Sequence, residues 1–106
     1  MIKTMLLKRL SAKPYPVKIA RLFHFMGHDF VVHRPVPEIH GGARFGWFVS
    51  EYISGTSILK DKVHGVYCKT IDEAVTVARE RLEYVGQTRL DAAINKQPVI
   101  NPPLDS

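Results

Sequence analysis

The chain has 106 residues, 45% of them hydrophobic, with a formal net charge of +5 and one cysteine. That length suits one domain with a modest core, and a lone Cys68 excludes an intramolecular disulfide and fits a reducing cytoplasm. Ile2 to Leu10 is too short and too charged to be a membrane span or a signal peptide, so no membrane partner is expected.

In chain order, residues 1–14 form a basic N-terminal segment in which Met5, Leu6, Leu7 and Leu10 make either one amphipathic turn or an edge strand. Lys13-Pro14-Tyr15-Pro16 separates it from the sheet. Ile19 to Met26 and Phe30 to Val36 flank Gly27-His28-Asp29 as a hairpin. Phe23, Phe25, Phe30 and Val32 then share one face, and Leu22, His24, Met26, Val31 and His33 the other, half-polar one. Pro35 and Pro37 end the strand, and residues 38–44, with Gly41-Gly42, read as a flexible connector.

Phe45 to Tyr52 alternates as an aromatic, β-branched strand, with Phe45, Trp47 and Val49 on one side and Phe48 and Tyr52 on the other. Ser54-Gly55-Thr56 is a turn. Ile58-Leu59 and Val66-Tyr67-Cys68 are two short strands joined around residues 61–65. Thr70-Ile71-Asp72-Glu73 has the form of a capping box, and Ile71, Val75, Ala78, Leu82 and Val85 line one helical face before Gly86 stops the helix. Residues 88–96 add a short second helix. The expected fold is α+β, an antiparallel sheet of three to five strands packed on one amphipathic C-terminal helix, with a single domain over 1–96 and a loose Pro-containing tail over 97–106.

The charge is unevenly distributed. Residues 1–28 hold Lys3, Lys8, Arg9, Lys13, Lys18 and Arg21 and no acidic side chain, whereas residues 44–86 balance six basic against six acidic residues. The N-terminal cations are therefore candidates for binding nucleic acid or an acidic surface.

Gly46-Trp47, Gly55, Gly65-Val66-Tyr67 and Thr70 through Ala74, ending at Gly86, resemble the three-stranded sheet plus helix of plant ethylene-response-factor DNA-binding domains and phage-integrase arm-binding domains. The resemblance covers about 40 residues and implies a sheet inserted into the DNA major groove. This chain departs from it in placing Phe48, Ser50, Glu51 and Tyr52 where those families place cations. The aromatic strand, Ser-Gly turn and Thr-x-x-Glu-Ala helix are also similar in style to short phage and prophage proteins. That resemblance implies docking on a host protein, as inhibitors of bacterial defence systems do, including those of anti-CRISPR type.

The histidines offer a weaker chemistry. With His28-Asp29 as the hairpin loop, His24 lies opposite His33 and the pair begins a metal site; with Gly27-His28 at the turn, His24 faces Val31 and the pair dissolves. Cys68 with His64 is the nearest approach to a nucleophile and base, and Cys68 is expected instead to pack as a small hydrophobe. No phosphate loop or paired-carboxylate motif is present. No enzyme activity, cofactor or metal is expected.

Two expectations follow. In the first, the chain is a non-enzymatic binding protein of phage or mobile-element type, docking Phe48, Tyr52 and Trp47 on a host protein or nucleoprotein complex and inhibiting or redirecting it. In the second, it is a double-stranded DNA-binding module using the basic segment and the sheet. A layer formed by residues 1–12 or by the tail is the alternative environment for Phe48 and Tyr52, and an exposed sheet edge is a route to a homodimer.

Overall fold

Alternation and turn chemistry divide the N-terminal two thirds of the chain into short strands, and a computed structural model describes residues 3–9, 12–59 and 68–104. The elements are β1 (Thr4–Leu7), β2 (Tyr15–Lys18), β3 (Arg21–Phe25), β4 (His28–His33), β5 (Phe48–Glu51), β6 (Ser57–Leu59), α1 (Ile71–Val85) and α2 (Gln87–Asn95). β1 and β2 form a two-stranded sheet, and β3-β4-β5-β6 a four-stranded one. Every pairing is antiparallel. The class is α+β, with the expected short second helix present as α2 and a second sheet beyond the one expected. The expected turn at 61–65, Val66 and Tyr67 of the expected strand, and His64 lie outside the described residues.

The β3–β4 hairpin turns at Met26-Gly27, with His24 opposite Asp29 and Phe25 opposite His28. Neither register considered from sequence is adopted. Met26 (φ 53°) and Gly27 (φ 79°) both take positive φ, as a two-residue type I′ turn requires. The methionine pays a steric penalty of roughly 1–2 kcal/mol for that conformation. Helix α2 offsets it: Gln87 Nε2 donates to the Met26 carbonyl at 2.8 Å and to Asp91 Oδ1 at 2.8 Å, and His28 Nε2 meets the same Asp91 oxygen at 2.7 Å. This register still places Phe23, Phe25, Phe30 and Val32 toward one core, as the alternation predicts.

Thr70 caps α1 by accepting the Glu73 amide at 3.0 Å. The Glu73 carboxylate reaches one residue beyond the cap, accepting from the Lys69 amide at 3.1 Å. Ala74, Ala78 and Leu82 are the helix's buried residues, an i, i+4, i+8 stripe. With Phe30, Val32, Val49, Leu59, Cys68 and Leu90 they make the first core. Cys68 therefore packs as an apolar side chain, and burial together with the Glu73 charge pushes its thiol pKa up. On the outer side of α1, Arg21 pairs with Asp72 and Arg79 sits 5.3 Å from the Phe25 ring, tying the helix to β3.

The opposite face of the four-stranded sheet is also covered. Met5 and Leu7, two apart on β1, pack with Val31, Val36 and Tyr52 in a second core. The chain is thus three layers: helices, sheet and hairpin with its attached loops. Phe48 and Tyr52 are both 0% exposed, so the open aromatic face expected on β5 does not exist. Tyr52 is covered by the apolar stripe of β1, which needs a partner surface and finds it there, and Phe48 lies against the buried His40 ring, 4.5 Å away. Phe45, by contrast, is 76% exposed, because Gly46 (φ 88°) breaks the extended run ahead of Trp47.

Two segments expected to be loose are fastened. In residues 38–44 the Gly42 amide donates to the Pro37 carbonyl at 2.7 Å and the Ala43 amide to the His40 carbonyl at 3.2 Å, and His40 is fully buried. In the tail, Asn101 accepts from the Leu6 amide at 2.7 Å and donates to the carbonyls of Leu6 at 2.9 Å and Tyr52 at 2.6 Å.

A candidate docking groove

Between the two sheets the chain runs from β2 through Ile19-Ala20 into β3, and alternation sends Val17 and Ile19 to one side of that path. Across from them, Pro35 and Pro37 hold the chain extended as it leaves β4. Trp47 approaches from the start of β5, its amide held by the Cys68 carbonyl at 3.0 Å. These segments form a groove of about 420 Å³ whose apolar lining comes from Tyr15, Val17, Ile19, Ala20, Pro35, Val36, Pro37 and Trp47. Lys18 and Arg34 stand on its rim, and among the described residues no carboxylate lines it.

Arg34 lies over Trp47, its guanidinium carbon 3.7 Å from the ring centroid, and donates to the Gly46 carbonyl at 3.1 Å. The contact fixes the indole while leaving guanidinium donors to solvent. Tyr15 is 40% exposed and has Arg9 5.8 Å from its ring.

Beneath the groove lies a buried polar set. The Arg34 carbonyl accepts from His33 Nδ1 at 2.8 Å, so His33 Nε2 accepts the Ser50 hydroxyl at 2.7 Å. Burial lowers the His33 pKa to about 4, opposed by its bond to Arg34 and aided by neighbouring His40. His40, whose ring is 5.6 Å from that of His33, accepts the Val36 amide on Nδ1 at 2.8 Å. The Val36 carbonyl already accepts the Ile39 and His40 amides, which leaves Nε2 as the His40 donor. Burial lowers the His40 pKa as well. His33–Ser50 has the spacing of a base and a nucleophile, but both side chains are wholly buried. No reacting group reaches them.

Glu51, also buried, has no cationic partner among the described residues. Its carboxylate instead accepts the amides of Ile53 at 2.7 Å and Ser54 at 2.9 Å and the Ser54 hydroxyl at 2.6 Å, a local cap on the turn that follows β5.

The structure separates His24 and His33: His24 pairs with Asp29 at 2.9 Å at the hairpin surface, while His33 is interior. Among the described residues no cluster of three or more His, Cys, Asp or Glu side chains is arranged to hold a metal ion. The six N-terminal cations are split by their contacts. Arg21 is paired with Asp72, Lys8 with Gln97, and Arg9 with the Lys13 carbonyl at 2.9 Å and Glu38 at 3.8 Å. Lys3, Lys13 and Lys18 make no ion pair among the described residues and are exposed. The Ile19 amide bonds the Lys3 carbonyl, so Lys3 joins Lys18 at the groove end of the hairpin.

Of the three aromatic residues expected to meet a partner, only Trp47 lines the groove. Tyr15, Arg34, Pro35 and Pro37 were not singled out by motif or charge. Their signal is the pair of short proline-interrupted apolar stretches at 14–19 and 34–37, which individually read as connectors. No helix among the described residues is long and apolar enough to cross a membrane. No protein-family model, curated protein or solved structure matches the chain.

Proposed function

We propose that this protein acts by binding rather than by catalysis, docking the Trp47 groove and the cationic end of its hairpin on an acidic face of a protein or nucleoprotein partner and so inhibiting or redirecting it. The observation that carries this reading is the groove itself: apolar walls with cations, and no carboxylates, among its described lining residues. Its lining is the outer edge of the second core, since Val36 belongs to that core and Val17 and Ile19 pack against it.

Duplex DNA binding through the sheet has less support. Val31, Val32, Val49 and Ser50 are all 0% exposed, so neither face of the central strands is presented to a major groove. Strand addition by a second copy along β2 is opposed by Pro16, which lacks the amide a new ladder would use.

Affinity capture from the native host, with nuclease treatment, tests the reading. A partner that survives nuclease and is lost with Lys18→Glu or Tyr15→Ala, both folded by circular dichroism, supports it. A partner retained equally by both variants removes the groove from the interaction, and a partner released by nuclease returns the reading to DNA.

A further inference from the structure

Resting on that docking reading, we infer that the groove receives a single extended peptide segment of the partner, an aromatic or aliphatic side chain flanked by aspartate or glutamate. Charge selects the flanks. Lys18 and Arg34 rim the groove, Lys3 adjoins it through the Ile19–Lys3 backbone bond, and no acidic side chain is among its described lining residues. Carboxylates beside the anchor meet cations on entering, whereas lysines beside it meet like charge. Size selects the anchor, because about 420 Å³ lies toward the small end of ligand pockets and accommodates one large apolar side chain with part of its backbone.

The same geometry disfavours a nucleobase. Single-strand binders offer open aromatic faces for stacking. Here Arg34 already covers one face of Trp47 at 3.7 Å, and Val17, Ile19, Pro35 and Pro37 supply aliphatic walls rather than a stacking platform. The segment crosses the groove rather than extending the hairpin, since Pro16 interrupts the donors of β2.

Trp47 is the only tryptophan in the chain, so its emission reports occupancy of the groove directly. The full chain is titrated with the blocked hexapeptide DFDLED, with KFKLKK and DADAED as charge and anchor controls, and with oligothymidylate. The inference expects a saturable blue shift with DFDLED alone, half-complete at about 1 mM or below. It also expects Lys18→Glu to weaken the titration about fivefold, and added salt to weaken it further. An equal response to KFKLKK or DADAED overturns the inference, as does a response to oligothymidylate. Absence of any shift with DFDLED while Lys18→Glu still abolishes partner capture overturns the peptide inference and leaves the docking reading standing.

Discussion

Arg34 and Trp47, thirteen residues apart in sequence, are stacked with the guanidinium carbon 3.7 Å from the indole ring centroid. The pair joins the end of β4 to the approach of β5 and forms one wall of the groove. Replacing Arg34 with Ala removes the cation and the hydrocarbon stem that shields the ring. The expected loss is about 1 kcal/mol, a thermal midpoint lower by about 4–8 °C for a domain of this size, with red-shifted Trp47 emission in the free protein. Arg34→Lys keeps the charge but not the planar stack and is expected to fall between the two in both measurements.

The buried histidines make stability depend on pH. His33 is held neutral in the folded state with its pKa lowered to about 4 from 6.5, so below 6.5 the unfolded chain binds a proton that the folded chain refuses. The His33 contribution is therefore complete above pH 6.5 and is lost as pH falls through about 4. Its size is on the order of 3 kcal/mol, and His40, lowered in the same direction, adds to it. Denaturant titrations between pH 7 and 4 are expected to show falling stability, with a shallower slope in His33→Gln. An unchanged slope in that variant would place the pH dependence elsewhere.

Asn101 serves two strand ends with one side chain, accepting from Leu6 and donating to Leu6 and Tyr52. Asn101→Ala leaves three backbone groups without those partners, at an expected cost of about 2–4 kcal/mol. Asn101→Asp is expected to cost at least as much, because a carboxylate oxygen then faces two carbonyls. Amide exchange at Leu6 is expected to accelerate in both variants.

Two glycines with the same sign of φ give opposite expectations. Gly55 (φ 68°) has the Lys8 amide and the Ile100 Cδ1 each 2.8 Å from where a Cβ would stand, and the Leu6 carbonyl closer still. Gly55→Ala therefore separates β1 and the tail from the turn they hold, with an expected loss above about 3 kcal/mol. Gly27 (φ 79°) has open space around the same position, and Gly27→Asn is expected to cost only a few tenths of a kcal/mol. Thermal melts of the two variants check the contrast.

Local rules made much of the architecture legible. The Thr70 cap, the α1 stripe and the alternation of Phe23, Phe25, Phe30 and Val32 each depend on neighbours a few residues away, and each is present. Hairpin register was not legible: a type I′ turn ordinarily wants Asn or Gly at both central positions, and Met26 occupies the first with its carbonyl held by Gln87 of α2, 61 residues later. The burial of Phe48 and Tyr52 was legible only as an alternative, a layer from residues 1–12 or the tail, because it depends on β1 and His40 packing over the sheet. A chain with one apolar strand stripe and no second partner for it does contain the hint. Of the candidate site, the clustering of cations before residue 28 was readable. The groove itself was not, because it exists only where two proline-bearing segments from different strand ends meet.

The central claim is that a partner docks at the groove between β2 and the 34–37 segment. Hydrogen–deuterium exchange on the captured complex, compared with the free protein, reads it most directly. The account predicts new protection at Val17 to Ala20, Arg34, Val36 and Trp47, with α1 and α2 unchanged. Protection confined to the outer surfaces of the helices, with the groove segments exchanging as in the free protein, would contradict it.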